Sequence, residues 1–240
     1  MIAGGLVANI AVMMRRALVF WMILMVPALP ADAADALMAA GRIEFARTGG
    51  SCSGVLVTPG VVATAAHCVP DTDGGVGVTG IAFRTAPPAA PVRVAKAYAH
   101  PLYDPDAPRI DWRYRFDLGL LVLADPDYGA DLGTVPVGDD AMPGETLFLV
   151  SWRKSDGAQP RQRACPVLSI GLEGLVTLGC DVKSGESGAP LFRKTDEGAI
   201  EVVAIISSRG ALLDQPIAQA SNLRLRLPPM LDLARRAGSP

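Results

Sequence analysis

The chain has 240 residues, half of them apolar, with 22 basic against 24 acidic side chains and a formal charge of −2. That length buries one large core or two small ones, and nothing in the composition suggests disorder. A balance so close to neutral, without a long basic block, argues against an electrostatic nucleic-acid surface. There is also no phosphate-cradling glycine loop and no zinc-spaced Cys/His set, so neither a cofactor nor a metal is expected.

The N-terminus reads as a targeting segment. Arg15 and Arg16 precede the apolar run from Ala17 to Leu29, and Ala31-Asp32-Ala33 supplies small residues at cleavage-site spacing. This is the pattern of a secretory signal peptide over residues 1–33. Its apolar run is shorter than the roughly 20 residues a membrane span needs. A secreted or periplasmic protein without a permanent membrane anchor is therefore expected. A second apolar stretch, residues 1–12, stands upstream of the arginines; a start at Met13 or Met14 gives a more ordinary signal peptide, and translation is expected to begin there.

The mature part reads as short β segments parted by turns. Arg42 to Ala46 is the first. "CSGVLVTPGVVATAAHC", residues 52–68, then carries two β-branched runs around Thr58-Pro59-Gly60 and reads as a hairpin. Val92 to Ala97 and Leu118 to Leu123 follow, and a loop-rich region from Asp125 to Gly144 is the expected boundary between two halves. Beyond it come Thr146 to Trp152 and "CPVLSIGLEGLVTLGC", residues 165–180, a second hairpin centred on Gly171-Leu-Glu-Gly174. Glu201 to Ser207 is the last expected strand. Met230 to Ala237, after Pro228-Pro229 and with Arg235 and Arg236 in its last turn, is the one good helical stretch. An all-β barrel or sandwich follows.

Four cysteines permit three pairings. Each hairpin places its two cysteines almost opposite one another, at the separation a disulfide accepts, which predicts Cys52–Cys68 and Cys165–Cys180. Exported chains favour such bridges.

Three polar residues stand out against this background. His67 ends a strand beside a cysteine. Asp117 enters the apolar strand "DLGLLVL". Ser187 lies in "SGESGAP", between glycines that would let backbone N–H groups approach a developing negative charge. Each has an ordinary alternative: a surface or core histidine, a turn-capping aspartate, a surface turn. Together, in the order His, Asp, Ser, they suggest a nucleophile with its base and the carboxylate that orients it.

At these residues the sequence resembles the trypsin-like, chymotrypsin-fold serine proteases. "TAAHC" at 64–68, "FDLGLLVL" at 116–123 and "GESGAP" at 185–190 are similar to the histidine, aspartate and serine motifs of that family, and "HPLYDP" at 100–105 to the linker between the first two. The resemblance runs from about Gly41 to Ala237. It implies two antiparallel six-stranded β-barrels with a short C-terminal helix. Residues 34–130 would form the N-terminal barrel carrying His67 and Asp117. Residues 131–240 would form the C-terminal barrel carrying Ser187, plus the helix. It also implies Ser187 as nucleophile, His67 as general base and then acid, Asp117 as its orienting partner, and the N–H groups of Gly185 and Ser187 as the oxyanion hole. Asp104 and Asp111, in loop sequence, are the alternatives to Asp117.

Some residues depart from the pattern. Glu186 stands where many members carry an aspartate that pairs with a freshly cut N-terminus, and no Ile-Val-Gly-Gly lies upstream. In that respect the chain is more similar to bacterial glutamyl-endopeptidase-like members. Ala189 replaces a glycine and could crowd substrate. For the substrate pocket the resemblance points to Asp181, Ser207 and Arg209; with Lys183 nearby, basic, acidic and uncharged preferences all stay open. The expected function is an exported serine endopeptidase acting on peptides or proteins as a monomer. The alternative is a catalytically silent binding protein with the same fold.

Overall fold

The computed structural model describes residues 38–69, 78–86, 89–132, 135–153, 155 and 159–238. The expected signal peptide and translation start lie outside them.

Two closed antiparallel barrels make up the described protein. Strands β1 (Ala40–Phe45), β2 (Gly50–Thr58), β3 (Val61–Thr64), β4 (Ile81–Thr85), β5 (Val92–Ala99) and β6 (Gly119–Leu123) close in the order β1-β2-β3-β6-β5-β4. Strands β7 (Thr146–Ser151), β8 (Arg161–Ile170), β9 (Val176–Leu178), β10 (Pro190–Lys194), β11 (Ile200–Leu212) and β12 (Gln215–Asn222) close as β7-β8-β9-β12-β11-β10. The second barrel repeats the path of the first. Closure gives each barrel strand a partner on both sides along part of its length.

The hairpins expected around residues 52–68 and 165–180 both form, and both disulfides are present. They are built differently. Val167 faces Leu178, and continuing that register puts Cys165 opposite Cys180, whose Cα atoms lie 5.2 Å apart. In the first hairpin Val55 faces Ala63, a register that would set Cys52 against Ala66. The chain instead leaves β3 at Thr64, and a 3₁₀ turn over Ala66–Cys68 carries Cys68 back to within 6.3 Å of Cys52.

The sequence reading does not include strands β4, β10 and β12, and two further elements depart from it. Helix α1 (Ile110–Arg115) occupies the stretch read as loop around Asp111; six residues are too few for helical periodicity to register. Strand β11 runs five residues past Ser207 and pairs with β12 in a ribbon whose outer half is exposed. The ribbon turns at Leu213 and Asp214, both at positive φ (49° and 62°).

The first core gathers Phe83, Leu118, Leu120 and Leu121 with Trp152, Phe192 and Ile205 of the second half. The second is built from Leu147, Leu149, Leu178, Leu191 and Val203. The C-terminal helix α2 (Leu227–Gly238) begins three residues before its expected start and takes Pro228-Pro229 into its first turn. Its Leu227 and Met230 are buried in the first core, so the end of the chain packs back against the N-terminal barrel.

Candidate active site

His67 owes its position to the 3₁₀ turn that follows β3. Cys68 N–H donates to the Ala65 carbonyl and Val69 N–H to that of Ala66, while the disulfide anchors the next residue to β2. The turn aims both the backbone and the ring of His67 at one carboxylate. His67 N–H donates to Asp117 Oδ1 at 2.9 Å, and its Nδ1 lies 2.7 Å from Asp117 Oδ2. Asp117 is buried at the foot of β6, where its own N–H reaches the carbonyl of Tyr114 at the end of α1. A third donor, Ser207 Oγ from β11, reaches Asp117 Oδ2 at 2.5 Å.

A carboxylate accepts hydrogen bonds and donates none, so the proton of a neutral His67 ring sits on Nδ1 and leaves Nε2 as a base. Burial alone pulls the imidazole pKa down, but the hydrogen bond and charge of Asp117 outweigh it, and the net direction is upward from 6.5. Nearby Tyr103 is pushed up to about 12, by burial first and by the Asp117 charge second.

The loop carrying Ser187 is pinned from several sides. Glu186 N–H donates to Lys183, Gly188 N–H to Ile206 and Ala189 N–H to Glu186, while Ser53 N–H on β2 donates to the Ser187 carbonyl at 2.7 Å. Ser53 Oγ donates in turn to the Gly185 carbonyl at 3.0 Å. Among the described residues, the N–H groups of Gly185 and Ser187 donate to no protein acceptor. Gly185 adopts φ 96°. Gly188, at φ 77°, brings the loop so close to the first barrel that a Cβ there would strike Thr64 Oγ1 and the Ser53 carbonyl oxygen.

Glu186 is wholly buried, and its carboxylate is fully engaged. Arg163 on β8 donates to both oxygens, Nη1 to Oε1 at 2.9 Å and Nη2 to Oε2 at 2.7 Å. Ser151 Oγ and the Lys183 N–H add bonds of 2.6 Å each, and Arg153 Nε stands 3.4 Å away. Burial tends to raise this acid's pKa, yet the bonds from Arg163, Ser151 and Lys183 bring it below 4.5. The Ala189 methyl, expected as a crowding group, is buried in the second core.

Ser187 and Ser207 line one cavity of about 330 Å³ together with Val182, Lys183, Ser184, Ile206, Ser208 and Arg209. His67 and Asp117 are therefore in direct contact, and Ser187 shares a cavity wall with the serine that touches Asp117. No hydrogen bond joins the His67 ring to the Ser187 hydroxyl among the described residues. Of the residues considered for the pocket, Ser207 and Arg209 are on the wall. Asp181 is not; its carboxylate meets Lys183 Nζ at 2.6 Å with its side chain half exposed. Asp104 accepts from the Asp106 N–H, and Asp111 pairs with Arg109 at 2.8 Å; both pairings are local.

Sequence reasoning passed over Ser53, Ser151 and Arg163. Ser53 carries no signal beyond following Cys52. Arg163 carried a faint one, since it shares a strand face with the buried Cys165. Among the described residues, the one donor set with metal-like spacing joins His67 to Cys52 and Cys68, whose ligand atoms lie within 4.8 Å of one another. The disulfide ties up both sulfurs, so they offer no thiolate.

Comparison with known proteins agrees with this architecture. A trypsin-like protease from Streptomyces glaucescens is 27% identical over 178 residues, 65% of this chain and 64% of the relative, so the chain spans a little under two thirds of that protein. Chymotrypsin-like elastase family member 3B from Macaca mulatta is 27% identical over 185 residues, covering 65% of this chain and 70% of the relative. Among solved structures, the protease Anisep from Arthrobacter nicotinovorans superposes with a TM-score of 0.63 at 19% identity, over 84% of this chain and 96% of that one. The sequence profile of the Trypsin family matches residues 38–216, a stretch that takes in His67, Asp117 and Ser187. By that match and by its twin six-stranded barrels, the chain belongs to the Trypsin family.

Proposed function

We propose that this chain is an exported serine endopeptidase that hydrolyses peptide bonds through an acyl-enzyme on Ser187. His67 Nε2 takes the proton of the Ser187 hydroxyl as Oγ bonds to the substrate carbonyl carbon. The C–N bond then breaks, and His67 returns that proton to the leaving amine. Water, deprotonated by the same ring, releases the acid product and restores Ser187. Asp117 fixes the Nδ1–H tautomer and stabilises the charged ring. The N–H groups of Gly185 and Ser187 receive the oxyanion, where loss of one such donor typically costs about 10² to 10³ in rate.

The observation that carries this reading is the carboxylate of Asp117, which accepts from His67 N–H and from Ser207 Oγ and sits 2.7 Å from the His67 ring nitrogen. It is reinforced by free N–H groups on the Ser187 loop. In unliganded proteins the base-to-nucleophile hydrogen bond is often long and tightens when substrate binds. Of the features that favour a silent binding protein, namely Glu186, Ala189 and an ambiguous substrate pocket, the first two are accommodated, Glu186 by Arg163 and Ala189 by the second core. A fluorophosphonate probe tests the proposal. Ser187 is labelled in the wild type and unlabelled in His67→Ala, whereas a folded, unreactive wild type would favour the binding protein. Export is tested separately by sequencing the N-terminus of the protein recovered outside the cytoplasm.

A further inference from the structure

The cavity beside Ser187 is walled by Val182 to Ser184 on one side and by Ile206 to Arg209 of β11 on the other. Lys183 is already paired with Asp181, and that carboxylate does not reach the wall. Arg209 does line it, and has no carboxylate partner among the described residues. Behind the wall Arg153 and Arg163 both face Glu186. Around this end of the cleft four cations (Arg153, Arg163, Lys183, Arg209) stand against three anions (Asp181, Glu186 and, behind Ser207, Asp117), a surplus of one positive charge.

The rest of the lining is polar. Ser184 and Ser208 present hydroxyls that make no side-chain hydrogen bond among the described residues. A lysine or arginine side chain entering here meets like charge. A large apolar one strips water from hydroxyls and a guanidinium and returns no hydrogen bond. A carboxylate accepts from every one of these groups, and its two oxygens match the fork of a guanidinium.

We propose that this cavity binds an acidic side chain, and that the protein cleaves peptide bonds on the carbonyl side of glutamate or aspartate with Arg209 as the charge that selects them. The inference rests on the reading of Ser187 as nucleophile, because the cavity is a specificity pocket only if the adjacent carbonyl is the one attacked.

Matched peptide p-nitroanilides that differ only in their last residue, Glu, Gln, Lys or Leu, test it. Glu and Gln have the same shape, so their ratio isolates charge. Glu is expected to exceed Gln in kcat/KM by about tenfold or more, the scale of one charge-assisted hydrogen bond, with Lys the poorest and the Glu advantage shrinking as salt rises. Arg209→Gln should bring the Glu-to-Gln ratio towards one, and Arg209→Glu should reverse the order of Glu and Lys. A Gln substrate cleaved as well as Glu, or a ratio untouched by Arg209→Gln, overturns the proposal. Fluorophosphonate labelling of the same preparation separates the two failures. A labelled Ser187 without Glu preference removes only the pocket assignment; no labelling and no cleavage of any substrate removes the protease reading and this inference with it.

Discussion

Arg163 on β8 grips both oxygens of Glu186 in the Ser187 loop, at 2.9 and 2.7 Å, across 23 residues of sequence. Glu186 immediately precedes Ser187, so this ion pair holds the backbone that would carry the nucleophile and the oxyanion donors. Removing one partner of a buried pair leaves an uncompensated charge and typically costs about 3–5 kcal/mol. Arg163→Met is expected to lose stability on that scale in urea unfolding and to slow probe labelling of Ser187. Adding Glu186→Gln should recover part of the stability, since no charge is then stranded. Because Glu186 titrates below 4.5, the stability it contributes is present above that pH and lost as the pH falls through its folded value.

Asp117→Asn keeps the size of the side chain but can donate where the carboxylate only accepted. The His67 ring is then held in the wrong tautomer. Activity is expected to fall by about 10⁴ while circular dichroism and chromatographic behaviour stay those of the wild type. Ser207→Ala removes one of the donors to the same carboxylate and should cost far less, about tenfold, measured as kcat/KM on a common substrate.

The pH dependence of His67 has two opposite signs. Its folded pKa lies above 6.5, so the stability it contributes is fully present below 6.5 and lost as pH rises through the folded value. With His67 as the proposed base, activity needs the neutral ring and should rise over that same window. The acid limb of kcat/KM is expected to have its midpoint above 6.5. Over the same range the stability difference between wild type and His67→Gln should shrink, which denaturant titrations at several pH values would measure.

The two disulfides close loops of similar size, with separations of 16 and 15 residues, each worth on the order of 3 kcal/mol in the chain-entropy model. Their functional weight differs. Replacing Cys165 and Cys180 by alanine should lower the unfolding free energy with little change in kcat/KM, because that bridge joins β8 to the second residue past β9 and holds neither His67 nor Asp117. Replacing Cys52 and Cys68 should reduce both, since Cys68 anchors the turn that aims His67 at Asp117.

Much of this architecture was legible in the residues. The β-branched runs flanking Pro59-Gly60 gave the first hairpin, and the symmetry about residues 171–174 gave the second together with its cysteine register. His67 and Asp117 could be singled out because a polar residue at the end of an apolar strand is conspicuous. The duplicated barrel path left no trace as a sequence repeat, because pairing order constrains only alternation and turn positions. Contacts over long separations were equally silent. Nothing near Ser53 announces that its N–H meets the Ser187 carbonyl, and nothing in "DVKSGES" says that Asp181 turns to Lys183 and leaves the cavity wall. Such facts exist only after closure brings β2 to the serine loop.

The most direct test of the central claim is a crystal structure of the protein reacted with a peptidyl boronate, whose tetrahedral adduct mimics the intermediate of acyl transfer. The account predicts a covalent bond from boron to Ser187 Oγ, one boronate oxygen within hydrogen-bonding distance of the Gly185 and Ser187 N–H groups, and His67 Nε2 facing the adduct with Nδ1 still on Asp117. An adduct on another residue, or a boronate bound at Ser187 with the His67 ring turned away from it, would contradict the account.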